Sequence, residues 1–351
     1  MVRFDSLADL TNPARLMPLF GPISKINTTL LSPASGFSGS LFQRLEVELH
    51  AGTKRSFILK STRLKTDWLT QRAGDHHGRE AFLLGEPRLL KIWDCIHCPY
   101  IAFAADQDQI GLLMDDFSDH LFPDHREPID LKKEDLIVQA TASLHAAFWE
   151  SILVKQIGWL AKPVDYLDLF APAAHPTDQY APVHSVIGNA MRTGWEIALH
   201  LLPPAIIPWL TRPAEEIFEP YRSLPFTLIH GDLKIANMAV LPAGDVVMFD
   251  WPVIGYAPCG IDIGWYLAVN STRLARTKEE FLEKYRSSLE SHLRNSIAGE
   301  TWLKMMELAI ISGSRMLLWS KALGYQAGTE RGKGEWAWWV SHLENLVSLH
   351  G

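Results

Sequence analysis

Hydrophobic and polar positions alternate over residues 44–49, where Leu45, Val47 and Leu49 interleave with Arg44, Glu46 and Glu48. A period of two marks a half-buried strand. A glycine-containing turn follows, then the apolar run FILKST. Together they predict an antiparallel hairpin entered through the glycine-bearing loop GFSGS at residues 36–40. Residues 79–90 change to helical spacing at Ala81/Phe82, Leu84 and Leu89, and YIAFAADQDQIGLLM divides at its polar centre into two more strands. The expectation for this part is an antiparallel sheet of about five strands with one helix.

Beyond Met114 the period lengthens. Residues 130–152 place Leu136, Ala140, Leu144 and Ala147/Phe148 at the i, i+4 spacing of an amphipathic helix. Thr277 and Glu280 form a capping-box pair opening a helix, and residues 302–323 and 335–349 continue in helical spacing. Residues 163–225 hold ten of the chain's 21 prolines and read as an insertion of short helices broken by turns. The pattern predicts an α+β chain: a small antiparallel-sheet N-terminal lobe over 1–114, a connection near 113–117 and a larger helical lobe over 115–351.

The length, 351 residues, suits two lobes. Hydrophobic residues at 47% and charged residues at 21% exclude a disordered or collagen-like chain. With 33 basic and 40 acidic residues the net charge is −7, which disfavours non-specific attraction to nucleic acid or an anionic membrane. Three cysteines cannot make a disulfide framework, and the opening MVRFDSLADL lacks the apolar core of a signal peptide. The apolar runs IGLLM and LPPAIIPWL fall short of the ~20 residues of a bilayer span. A cytoplasmic protein with small-molecule partners is expected.

The chemistry concentrates in residues 228–267. His230-Gly231-Asp232 follows an apolar lead-in, Asn237 comes five residues after the aspartate, and a hairpin around Pro242-Ala243-Gly244 returns the chain to Asp250 at the end of VVMF. Asp232 and Asn237 bracket a tight loop, and the hairpin is expected to bring Asp250 beside them. Three oxygen-bearing side chains gathered there would suit Mg²⁺ and a hydroxyl to be oriented, the equipment of phosphoryl transfer. At about one in twenty per position, H-G-D-x-x-x-x-N arises by chance in roughly one such chain in several hundred.

In these motifs the sequence resembles the aminoglycoside phosphotransferase and choline kinase-like family, relatives of the protein kinases. HGDLKIAN is similar to that family's catalytic loop, FDW to its metal-binding strand end and GYAPCGIDIGWYL to the following segment, with a structural aspartate at Asp262. LLMDDF resembles the inter-lobe hinge and SLHAAFW a helix preceding the acceptor region. The resemblance implies a two-lobed protein kinase-like fold and an ATP-dependent small-molecule kinase using Mg²⁺. It implies Asp232 as the residue facing the acceptor hydroxyl, Asn237 and Asp250 as Mg²⁺ ligands, and Lys60 in FILKST as the phosphate-holding lysine. The partner of Lys60 would be Glu80, with Arg79 beside it facing solvent. Gly36 and Gly39 would let the backbone approach the phosphates. Asp115 and Phe117 would offer backbone groups to the adenine edge. Lys234 either steadies the transferring phosphoryl group or is a solvated loop residue.

The chain departs from protein kinases in lacking a third loop glycine, in carrying Asp250-Trp251-Pro252 in place of D-F-G, and in having no A-P-E segment, so a protein substrate is not expected. The acceptor classes implied are aminoglycoside-, amino alcohol- or sugar-like. The alternative is a catalytically silent nucleotide-binding regulator, against which the joint presence of Lys60, Asp232, Asn237 and Asp250 argues. Cys95 and Cys98 spell C-x-x-C without the second pair a four-cysteine zinc site needs. Trp336, Trp338 and Trp339 form either an aromatic wall for a cationic acceptor or core packing. The acids Asp115–Asp116 and residues 119–124 add to the expectation of a cationic acceptor.

Overall fold

A computed structural model describes residues 1–31, 39–106, 108–123, 126–172 and 182–350, with backbone alone for 182–186. Gly36 and Asp124 lie outside the described residues. The chain divides into two compact units, residues 1–124 with 238–252, and residues 125–237 with 253–351. This differs from a single boundary at 114/115. Residues 115–123 stay with the sheet, and the 238–252 hairpin returns to it. The tie is made by bridges from Val247 to His97 and from Ala239 to Leu121.

In the first unit, strands β1 (Val2–Phe4), β2 (Ile23–Leu31), β3 (Leu41–Leu49), β4 (Lys54–Arg63), β5 (Tyr100–Ala105) and β6 (Gln109–Asp115) form one sheet in the order β1-β5-β6-β4-β3-β2. Six strands replace the expected five, and β1 runs parallel to β5 while every other pairing is antiparallel. The alternation in β3 does what its period requires: Leu45 and Val47 are fully buried. With Phe57, Leu59, Leu113, Ala102 and Ala104 they face Leu10 and Leu16, the latter on the helix Pro13–Phe20. Lys60 sits one residue beyond Leu59, so its side chain emerges on the opposite face. Two short strands, β8 (Met238–Val240) and β9 (Val246–Met248), complete the unit as the expected hairpin.

The second unit is helical, with β7 (Thr227–Ile229) and β10 (Gly255–Ala257) as an antiparallel pair. Asp130 caps the helix Leu131–Ala147 through the N–H groups of Lys132 and Lys133. Thr277 and Glu280 make the expected capping box of Lys278–Leu293. The proline-rich stretch is not all short helices: Pro182–Leu201 runs unbroken for 20 residues. Its first proline occupies the helix N-terminus, where the missing N–H costs nothing, and the next comes only at Pro203. The long helix Gly299–Gln326 packs against Pro182–Leu201, Gly260–Val269 and Glu330–His350. The architecture is the α+β one expected, a sheet unit and a larger helical unit.

Gly264 sets how closely Gly260–Val269 meets Gly299–Gln326. A Cβ there would fall on the carbonyl oxygen of Ala309 and the hydroxyl of Ser312, and backbone cannot swing aside as a side-chain tip can. Gly264→Ala should lower stability by about 1–3 kcal/mol, the usual range for overpacking. Gly188→Ala, in a helix where a Cβ meets nothing within 4 Å, should raise it by up to about 1 kcal/mol through helix propensity. Urea unfolding of the two variants tests the contrast, and equal effects would refute the close-packing account.

Candidate functional site

Each unit carries one cluster of the residues singled out in the sequence. In the first, β4 projects Lys60 into a buried polar setting where it is only 4% exposed. Its ammonium donates to Glu80 Oε2 at 2.7 Å and to Asp250 Oδ1 at 2.5 Å. Glu80 lies in the first turn of the helix Arg79–Gly85. That helix is started by Asp75, whose carboxylate accepts from the N–H groups of Gly78 and Arg79 at 2.9 and 2.8 Å. Arg79 does not face solvent: it is buried and its guanidinium donates to the Ala73 carbonyl at 2.9 Å. The second oxygen of Glu80 accepts from the hydroxyl of Tyr100 on β5 at 2.8 Å. Burial alone would favour the neutral amine of Lys60, but the Asp250 and Glu80 carboxylates outweigh it and hold the ammonium charged far above its ordinary range. Burial, reinforced by Glu80, pushes the Tyr100 phenol well up, so it stays a donor.

Asp250 is one of three non-glycine residues with positive φ, at 71°, among the described residues. Aspartate tolerates that region better than most residues, and strained backbone concentrates at working sites. Ser40, Thr62, Asp67, Thr70 and Asp75 line a small polar recess together with Lys60, Glu80 and Asp250. Asp67 accepts from the Thr70 hydroxyl at 2.6 Å and from the Ser40 hydroxyl at 3.3 Å. Gly39, at φ 94°, adopts a conformation that a side chain resists.

The segment after β6 is tied down by Asp116, which the sequence reading counted only as an acid favouring a cationic acceptor. Asp116 accepts from Arg44 Nε at 2.9 Å and from the Ser56 and Ser118 hydroxyls at 2.6 and 2.5 Å. Its charge is therefore internally paired. The N–H of neighbouring Asp115 donates to the Pro99 carbonyl at 3.0 Å. The Phe117 ring stands edge-on to His97, 5.8 Å between centroids.

In the second unit, β7 delivers the chain into His230-Gly231-Asp232. The fully buried carboxylate of Asp262 accepts from the N–H of His230 at 2.8 Å and of Gly231 at 2.7 Å. His145 bridges Asp262 to Tyr285, with Nε2 3.3 Å from Asp262 Oδ2 and Nδ1 2.6 Å from the phenol. Gly231 has φ 82°, and a Cβ there would strike the carbonyl of Val253 and the ring of Tyr166, so no other residue fits. Asp232 is buried. Its Oδ2 accepts from Lys234 Nζ at 2.7 Å and Asn237 Nδ2 at 3.0 Å, and its Oδ1 from the Trp265 indole at 2.9 Å. Asn237 Nδ2 also reaches the backbone oxygen of Asp232 at 3.1 Å, which turns its amide oxygen outward. Trp265 is the residue missed here, although its place three positions after Asp262 puts both on one helix face.

Among the described residues no group of three or more His, Cys, Asp or Glu side chains could hold a metal ion by itself. The Asn237 amide oxygen in the second unit and the Asp250 carboxylate in the first are each a hard oxygen of the kind Mg²⁺ accepts. The cysteines are all outside disulfides, and burial raises the Cys98 thiol, which donates to the Tyr100 carbonyl.

Residues 130–297 match the phosphotransferase enzyme family. That stretch, a little under half of the chain, contains Asp232, Asn237, Asp250 and Asp262, and the resemblance read from the motifs is met there. No curated protein matches the chain. Solved structures similar to it include a choline kinase from Streptococcus pneumoniae, at 14% identity over 95% of this chain and 97% of that one, with a TM-score of 0.48. An aminoglycoside-3'-phosphotransferase of type VIII is 13% identical over 85% and 97%, with a TM-score of 0.41. A choline kinase from Cryptosporidium parvum is 13% identical over 93% and 91%, with a TM-score of 0.48. Likeness at that level assigns no substrate. No helix among the described residues is long and apolar enough to cross a membrane.

The late tryptophans divide. Trp336 and Trp339 are buried. Trp338 is half-buried, and the Lys278 ammonium lies 4.6 Å over its ring, His342 stacks on it at 4.0 Å, and its N–H donates to Glu279 at 2.6 Å. The ring thus already has a cation of its own.

Removing Lys60 would take from Glu80 and Asp250 the ammonium that they share. Lys60→Met should therefore cost about 3–5 kcal/mol, the range for breaking a buried pair. The double variant K60M/E80Q should lose less than the sum of its parts. Denaturant titration of the three proteins measures this, and additivity would show that the two charges are not coupled.

Proposed function

We propose that the chain is an ATP-dependent small-molecule kinase that transfers the γ-phosphate of Mg·ATP to an acceptor hydroxyl of aminoglycoside, amino alcohol or sugar type. The observation that carries the reading is the loop holding Asp232. A buried carboxylate has its two oxygens fixed by Trp265, Lys234 and Asn237, inside the stretch that matches the phosphotransferase family. A carboxylate pinned in this way is suited to accept the proton of a hydroxyl as it attacks phosphorus. Phosphoryl transfer asks little else of a protein than position and charge neutralisation.

In this reading Lys60, braced by Glu80, holds the nucleotide phosphates, and Gly39 lets the backbone approach them. Asp115 and Phe117 meet the adenine edge. Asn237 and Asp250 hold Mg²⁺, which when bound neutralises charge on the phosphate oxygens. Lys234 draws on the transferring group. The paired state of Lys60 supports this, since an ammonium held charged in a buried setting is ready for an anion. A cytoplasmic location belongs to the same proposal, in keeping with three cysteines outside disulfides.

A panel of choline, ethanolamine, aminoglycosides and neutral sugars, offered with Mg·ATP or Mg·GTP and read by ADP or GDP release, tests the activity and identifies the acceptor and donor. With the acceptor found, Asp232→Asn should lower kcat by about 10²–10⁴-fold, the usual worth of a general base, and leave ATP affinity nearly unchanged. Wild-type turnover in that variant would sink the assignment. Asp250→Asn keeps the positive φ and removes the charge. Calorimetry should find that Mg²⁺ no longer strengthens its ATP binding, and an unchanged metal dependence would remove Asp250 from the metal site.

A further inference from the structure

We propose that Trp265 is a positioning residue that fixes which oxygen of Asp232 receives the acceptor hydroxyl. This rests on the reading of Asp232 as the group that faces that hydroxyl. A carboxylate offers about four lone-pair positions, two on each oxygen. On Asp232, Oδ2 accepts from both Lys234 and Asn237, whereas among the described residues Oδ1 accepts only from the Trp265 indole. The open position is therefore on Oδ1, and a hydroxyl that donates to Asp232 does so beside the indole N–H.

The indole is well suited to hold that oxygen. Rotation about the Cβ–Cγ bond of an aspartate is soft, so without a donor on each oxygen the carboxylate would turn. An indole nitrogen is a donor only, so Trp265 can neither take the proton nor accept from the hydroxyl. It carries no charge, and an incoming phosphate cannot draw it away. Lys234 differs: it is charged, on a flexible stem and 30% exposed.

Trp265 is itself immobilised. It is buried, and Phe170 stacks on it with 6.0 Å between centroids at an interplanar angle of 22°. One turn earlier in the same helix, Asp262 grips the backbone of His230 and Gly231. The helix therefore holds the loop twice, by its backbone at Asp262 and by its reacting side chain at Trp265. Gly264, between them, allows the helix to lie against the Ala309 carbonyl.

The test is Trp265→Phe, which keeps an aromatic ring for the stack and removes the N–H. Steady-state ADP release from Mg·ATP, with the panel acceptor or with water alone, should show kcat reduced about tenfold or more, as small misplacements of a reacting group do. The KM for Mg·ATP should stay within about twofold, because the indole N–H bonds Asp232 and none of the residues proposed to hold the nucleotide. Wild-type kcat in Trp265→Phe, with Asp232→Asn inactive, overturns this proposal and leaves the function standing. Wild-type kcat in Asp232→Asn overturns the function reading and this proposal with it, as does absence of turnover in the native protein. A parallel loss of ATP affinity in Trp265→Phe would mean a structural role and also counts against the proposal. A second measurement needs neither turnover nor a folded tryptophan variant. In the folded native protein one downfield indole N–H resonance should move upfield in Asp232→Asn, where the acceptor is neutral. Indole resonances unchanged between those two proteins would show that no such bond exists.

Discussion

The second unit is organised around one fully buried negative charge. Among the described residues Asp262 has no lysine or arginine paired with it; it is held by the N–H groups of His230 and Gly231 and by His145. An ionised carboxylate out of water is tolerated only when its oxygens are filled by donors. The loop backbone has the converse need, for an acceptor for two N–H groups that no strand or helix satisfies. Each supplies what the other lacks, and that fixes the turn in which Gly231 must be glycine. Asp232 is then presented by a rigid backbone. Tyr285 and His145 extend the network to Lys278–Leu293 and Leu131–Ala147, so two helices distant in sequence meet on the charge that shapes the loop.

The first unit solves a similar problem with the opposite sign. Lys60 is a cation on the inner part of a sheet, and burial would cost it its proton without Glu80 and Asp250. Those carboxylates in turn need Lys60, and the remaining oxygen of Glu80 takes the Tyr100 hydroxyl. Such clusters stabilise little, because desolvation offsets most of the attraction. They fix geometry: Lys60 cannot leave its place without taking from two carboxylates the ammonium that they share. The positive φ of Asp250 fits the same picture, a strained residue kept in place by its partners.

Much of this was legible in the sequence, for identifiable reasons. The spacing of His230, Gly231, Asp232 and Asn237 is local, and local spacing survives folding. The strand alternation around Lys60 and the helical period after Arg79 were both readable, and the structure joins Lys60 to Glu80 across them. Other contacts left no periodic trace. Tyr100 opens an apolar strand and looks like any core aromatic; only the sheet order, with β5 one strand beyond β6, brings its hydroxyl to Glu80. Arg79 follows a glycine and precedes the charged Glu80, so its burial against the Ala73 carbonyl depends on a tertiary turn. Proline count misled over residues 163–225, because the position of each proline, not their number, decides whether a helix can run. Strand β1 is three residues long and pairs parallel with a partner almost a hundred positions away, beyond any local pattern.

The net charge of −7 gave a poorer guide to a ligand than the pairing of individual charges does. Summed over the chain it favours a cation, but a ligand meets local fields, damped by solvent within about 10 Å. There the carboxylates are spoken for: Asp116 by Arg44, Asp232 by Lys234, Asp250 by Lys60. The Trp338 face, the most obvious seat for an ammonium group, is covered by Lys278. Selectivity for charge on an acceptor would have to come from a group without such a partner. On the proposed reading of Asp232, the neutral donors fixed there, the indole of Trp265 and the amide of Asn237, would instead favour a hydroxyl by shape and direction, whatever charge the rest of the acceptor bears.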